Sequence, residues 1–118
     1  MRDPNAFELS SEDVGEDVCI LTLRGEADRF HTAEVTAAID DARTADRDVI
    51  VDLSAVAYLD SSMLSALVAA SEQGRRRSRP LIVLCETPRL RRSLQLKGLE
   101  TILRLAETRE QALEIVAG

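Results

Sequence analysis

The residues best placed to do chemistry are Asp60, Ser61 and Ser62, which lie between two apolar patterns. Behind them runs Val49-Ile50-Val51, with no polar gap. Ahead of them, Met63, Leu64, Leu67, Val68 and Ala70 recur at helical spacing. An Asp or Ser just before such a pattern marks a helix start. A serine pair there meets unpaired backbone amides and the positive end of the helix dipole, so an anion is welcome. The chemistry on offer is acceptance of a phosphoryl group on Ser61. The plainer reading is that the three residues only cap the helix, a contribution of about 1 kcal/mol, and position alone favours it.

Conventional catalysis is hard to assemble from the rest. His31 is the single histidine, has no partner ligand at metal-binding spacing, and reads as a surface or helix-start residue. No GxGxxG or GxxxxGK[ST] loop occurs, so nucleotide binding by those loops is not expected. Neither serine sits in a GxSxG elbow, and no base accompanies Asp60 and Ser61. The expectation is a chain that is not an enzyme, with no cofactor and no metal. Cys19 and Cys85 lie far apart inside apolar runs, as small buried hydrophobes do, rather than as a disulfide or metal pair.

The elements that must position the serines follow from the patterning. The run Val49–Val51 suits a strand buried on both faces, followed by a short connection ending at Leu59-Asp60. The helix opened by the serines ends near Gly74, with Arg75-Arg76-Arg77 at its negative end and Pro80 stopping it. Upstream, a short strand covers Phe7 to Ser10, an acidic turn runs from Ser11 to Asp17 around Gly15, and a firmer strand runs from Val18 to Arg24. Gly25-Glu26-Ala27-Asp28 breaks that strand, glycine permitting an angle other residues resist. A helix spans His31 to Ala45, with Thr32 as N-cap and Val35, Ala38, Ile39 and Ala42 as its stripe. Downstream come a buried strand over Leu81 to Leu84 and a helix opening at Thr87-Pro88. Leu90, Leu94 and Leu96 form that helix's apolar side, and Gly98 ends it. A strand from Thr101 to Leu105 and a final helix complete the chain, the helix capped by Thr108 and burying Ala112, Leu113, Ile115 and Val116. This alternation implies an α/β layer structure with parallel pairs and one antiparallel edge.

Composition agrees. The 118 residues are expected to form one domain, 1–118, with a real core. Hydrophobic residues make up 45% and aromatics only 3%, so the core must be aliphatic. A net charge of -6 argues against nucleic acid or an anionic membrane as main partner. No apolar stretch is long enough for a membrane-spanning helix, and Met1 to Asn5 is polar, without a signal-peptide apolar region. A cytoplasmic protein is the simplest expectation.

Two segments resemble a known family. Asp52-Leu53-Ser54 through Tyr58-Leu59-Asp60-Ser61-Ser62, with Leu64 following, is similar to the signature of STAS domains, specifically bacterial anti-sigma factor antagonists. Gly25-Glu26-Ala27-Asp28 followed by His31-Thr32-Ala33 resembles the same family's earlier loop. The order and spacing of elements agree along nearly the whole chain. The resemblance implies an α/β, STAS-like mixed β-sheet of about five strands, mostly parallel with an antiparallel edge, packed with about four helices. It implies a role in transcription regulation by partner switching. The unmodified antagonist binds an anti-sigma factor that is also a serine kinase, which frees the sigma factor. Phosphorylation of the serine after the motif Asp releases the antagonist, and a serine phosphatase resets it. Carried over, that phosphoprotein site is Ser61, with Ser62 as fallback. The protein–protein docking surface comprises Asp28, Asp60, Ser61, Ser62 and Met63, with Asp60 orienting Ser61.

One position departs from the family, which usually has Gly where this chain has Met63. Pointing outward, Met63 would reshape the docking surface or block the kinase; tucked inward, it would leave the site unaffected. The departure suits an alternative of the same fold, a cytosolic accessory subunit of an ABC-type membrane transport complex without a phospho-switch. The run Arg75–Arg79 reads as a solvated helix end; with Arg89, Arg91 and Arg92 it could instead form a basic patch against an acidic partner.

Overall fold

In the computed structural model, which describes residue 3 and residues 5–118, five strands form one sheet in the order of the sequence. Met1, Arg2 and Pro4, part of the polar N-terminus, lie outside the described residues. Strand β1 (Glu8–Val14) pairs antiparallel with β2 (Val18–Ala27). A 3-10 turn (Arg29–His31) and helix α1 (Thr32–Thr44) lead to β3 (Asp48–Leu59), which lies parallel to β2. Helix α2 (Ser61–Arg76), β4 (Ile82–Leu84), α3 (Pro88–Leu96), a 3-10 turn (Leu99–Thr101), β5 (Arg104–Ala106) and α4 (Arg109–Ala117) follow. Strands β3, β4 and β5 are mutually parallel. The mixed sheet with one antiparallel edge and four α-helices is thus the expected architecture.

Strand periodicity divides the core in two. Leu21, Val51 and Val83 face one side, where they pack with Val35 and Ile39 of α1 and with Met63 and Leu67 of α2. Ile20, Ile50 and Ile82 stand in register across β2, β3 and β4 and face the other side, where α4 covers them through Ala112. Right-handed crossovers between strands in sequential order place α1 and α2 on the same face, leaving the opposite face for α4. Both faces of the central strand are covered, which explains its unbroken apolar run.

Several boundaries differ from the sequence expectation. The polar residues Ser11, Glu12 and Asp13 belong to β1 rather than to a turn, because an edge strand needs apolar residues on one face only and its other face sees water. Gly25 does not end β2. With φ of +77° it sits among register shifts, and the strand continues to Ala27. The glycine is needed for space as well, since a Cβ there would meet the Ala6 and Asn5 carbonyl oxygens. The connection expected after Val51 is strand as far as Leu59, because β2 continues alongside it. Thr32 lies inside α1 rather than capping it, and its hydroxyl donates to the Arg29 carbonyl; His31 holds the cap position without a side-chain bond. Leu96 is 81% exposed and not part of the α3 apolar side. Thr101 closes a 3-10 turn, with its hydroxyl on the Gly98 carbonyl, and β5 starts later, at Arg104.

The far end of α2 is fixed by Gly74. The Arg79 amide donates to the Gly74 carbonyl at 2.7 Å, and the half-buried Arg43 guanidinium donates to the Ala70 carbonyl at 2.9 Å. A Cβ on Gly74 would collide with the Arg79 carbonyl and press on that guanidinium. Gly74→Ala should therefore destabilise the fold by about 1–3 kcal/mol despite the better helix propensity of alanine, read as a lower urea midpoint at unchanged slope. Cys19 and Cys85 are both free and buried, and burial pushes both thiols up. At about pH 8 a thiol reagent should label them at least about a hundredfold more slowly in the native protein than in the unfolded chain.

Candidate functional site

The site forms where β2 and β3 end side by side and each hands the chain to a helical turn. Ala27 and Leu59 are paired in register, and the Asp60 amide donates to the Ala27 carbonyl at 3.2 Å. Asp60 is therefore placed by the sheet before any side chain acts. Its backbone is extended, as an N-cap requires. One carboxylate oxygen, Oδ1, accepts the Met63 amide at 2.8 Å and caps α2. The other, Oδ2, accepts the Arg29 amide at 2.8 Å, across thirty-one positions of sequence. One side chain thus ties the loop after β2 to the start of α2. Both bonds are charge-assisted, stronger than their neutral counterparts.

Asp28 does a related task locally. Its Oδ1 accepts the Phe30 amide at 3.0 Å and caps the 3-10 turn. His31 stacks on Phe7 with ring centroids 4.2 Å apart, and its Nδ1 lies 3.6 Å from Glu34 Oε1. The structure thus gives His31 a packing role where the loop meets α1.

Ser61 and Ser62 are the first two residues of α2 and both are exposed. Asp60 supplies the cap, so the serines are not needed for it. Among the described residues neither the hydroxyl nor the amide of either serine has a hydrogen-bond partner. Two amide donors and two hydroxyls thus stand open at the positive end of a 16-residue helix. An anion covalently attached at Ser61 would meet donors there rather than acceptors. Both oxygens of Asp60 are committed to backbone amides, so the carboxylate frames Ser61 rather than serving as its proton acceptor.

Met63, expected among the docking residues, is fully buried in the larger core beside Leu67. Its side chain is beyond a partner's reach, because the third position of α2 faces the sheet. The outer surface around the serines is built instead by residues with little sequence signal. Phe30 is 75% exposed and carries the Arg29 guanidinium over its ring, and Tyr58 is 58% exposed near the end of β3. A large aromatic left in water is the signal available, visible only once burial is known.

Two of the arginines considered for a basic patch are drawn to acidic side chains. Arg79 binds Asp46 and, at 3.4 Å, Asp48 at the start of β3. The α3 arginines belong further along that strand, where the Thr87 hydroxyl donates to the Ser54 carbonyl, and Arg91 is drawn to Glu107 at 3.7 Å.

Comparison with known proteins bears on this arrangement. The STAS domain family model matches residues 12–112. An anti-sigma factor antagonist from Mycobacterium paratuberculosis is 28% identical, with both chains covered in full and a TM-score of 0.83. The Bacillus cell fate determinant SpoIIAA in its phosphorylated form is 26% identical over 94% of this chain and 99% of its own, with a TM-score of 0.68. A sulfate transporter family protein from Wolinella succinogenes, 19% identical over 98% of this chain and 96% of its own, shares the fold at a TM-score of 0.70. The family match takes in the β2 loop, the whole of β3 and the Asp60–Ser62 helix start, and this chain belongs to the STAS domain family.

Proposed function

We propose that this protein is an anti-sigma factor antagonist: a non-enzymatic module that binds a serine-kinase anti-sigma factor, frees a sigma factor, and is released by phosphorylation of Ser61. The observation that carries the reading is the exposed, unpartnered Ser61 hydroxyl directly after an aspartate that binds two elements together. The M. paratuberculosis protein, described as an anti-sigma factor antagonist and matching end to end, supports it. Transfer of the ATP γ-phosphoryl group to Ser61 Oγ would be the kinase's reaction, with the base supplied by the kinase, since Asp60 is occupied. A serine phosphatase would return the hydroxyl by hydrolysis. No helix of the described residues is long and apolar enough to cross a membrane, which agrees with action in the cytoplasm.

Magnitudes favour a switch at this place. A phosphate adds roughly 1.5–2 negative charges. The helix terminus returns about 0.3–1 kcal/mol for a nearby anion, so the fold tolerates the group. The same charge misplaced against like charge in a docked interface costs several kcal/mol, and about 1.4 kcal/mol is tenfold in affinity. Docking is lost while folding is kept. Met63 was the residue that suited a transport-complex subunit instead; buried as it is, it leaves the docking surface unobstructed.

Incubation with a serine-kinase anti-sigma factor and ATP, followed by mass mapping, should place one phosphate on Ser61. Ser61→Ala should bind the kinase and take up none. Ser61→Asp should keep its thermal midpoint within a few degrees and lose affinity by at least about tenfold. Modification confined to Ser62, or full binding by the Asp variant, overturns the assignment. The Asp60 tie has its own test. Asp60→Asn keeps one acceptor and turns the other oxygen into a donor, so one of the two amides loses its partner. It should cost about 1–2 kcal/mol in stability and weaken docking while leaving helix content unchanged by circular dichroism.

A further inference from the structure

A groove lies between β3 and α3, where β3 runs toward Asp60 and the serine pair. Strand β4 pairs only with Ile50, Val51 and Asp52 of β3. Beyond Asp52, β3 continues for seven residues with β2 on one side and, among the described residues, no strand on the other. Alternate main-chain groups of that segment point to the open side. Helix α3 does not close the gap: a groove of about 490 Å³ separates it from Val56–Leu59, floored by Leu90 and Leu94. Arg89 and Lys97 line it, and Arg92 and the exposed Leu96 continue it along the outer side of α3.

The cations indicate what would fill it. The chain carries a net charge of -6, yet Arg89, Arg92 and Lys97 have no acidic partner among the described residues. Arg79 is taken up by Asp46, Arg91 by Glu107 and Arg109 by Glu12. Arg75, Arg76 and Arg77 also lack an acidic partner among the described residues, but they lie at the far end of α2, away from the β3 edge. An open strand edge, an apolar floor and an unneutralised basic rim together describe the requirements of an extended peptide. We propose that the β3–α3 groove binds an extended segment of a partner protein in which acidic and aliphatic residues alternate, added as a strand to the free edge of β3. The segment's main chain bonds to Ala55–Leu59, its aliphatic side chains cover the part-exposed Leu90, and its carboxylates meet Arg89, Arg92 and Lys97. This surface needs no phosphorylation and stands apart from the reading of Ser61.

The probe is a set of synthetic octapeptides alternating Glu or Asp with Val, Ile or Leu, titrated into the full chain and followed by backbone amide NMR. Shifts should concentrate on Ala55–Leu59 and Pro88–Lys97. Three changes should each weaken binding at least about tenfold: Lys in place of the acids, N-methylation of alternate peptide amides, and the exposed triple variant Arg89→Glu, Arg92→Glu, Lys97→Glu. Because two of these alter only the peptide, the outcome does not depend on how the variant folds. Absence of binding by the whole set at about 1 mM, full affinity after N-methylation, or shifts confined to the Ser61 end of α2 overturns the proposal. Concentration-dependent self-association through the same residues without peptide assigns the groove to a second copy of the chain and equally overturns it.

Discussion

Two backbone amides far apart in sequence converge on the carboxylate of Asp60, and the geometry of the site depends on that convergence. The Met63 amide belongs to α2 and the Arg29 amide to the loop after β2. Each is an orphan donor at the start of a helical turn, and each needs an acceptor. A single carboxylate satisfies both because parallel pairing of β2 and β3 brings Ala27 and Leu59 level. Asp28 and Asp60 each cap the turn that follows its own strand, one local and one shared. The outcome is a rim held by two hydrogen bonds to one carboxylate, on which Phe30, Tyr58 and the two serines are exposed.

Helix α2 is held at both ends, which separates what a partner sees from what keeps the molecule folded. At its start, Met63 is locked in the core directly beneath the exposed serines. At its end, Gly74 admits the Arg79 carbonyl and the Arg43 guanidinium. A charged group added at Ser61 changes the outer face of the first turn and displaces nothing in the interior. Met63, where the resemblance led to an expectation of glycine, turns its side chain toward the sheet and leaves the outer face of the first turn to the serines.

Charge is distributed with comparable economy. Arg47 lies 3.7 Å from Asp13, Arg79 joins Asp46 and Asp48, and Arg109 grips Glu12 with both guanidinium nitrogens at 2.9 and 3.0 Å. That grip holds the Glu12 carboxyl below its usual range and joins α4 to β1. Exposed pairs of this kind contribute little stability, but they neutralise cations that would otherwise attract partners. Among the described residues, Arg89, Arg92 and Lys97 on and just after α3 keep no acidic partner, nor do Arg75, Arg76 and Arg77 at the end of α2.

The order of elements, the two-sided burial of Val49–Val51 and the helix start at Asp60–Ser61 were legible in the amino-acid sequence, because apolar periodicity and capping chemistry are local properties. So were the Thr108 cap, which accepts the Gln111 amide at 3.0 Å, and the burial of both cysteines. Strand ends were not legible. β3 outruns its apolar stretch, and β2 passes through Gly25, because pairing between strands rather than propensity carries them onward. The inward turn of Met63, the second amide on Asp60, the exposure of Phe30 and Leu96 and the open edge of β3 all depend on which segments become neighbours. Spacing along the chain states what each residue can offer; only the folded arrangement determines which residue receives it.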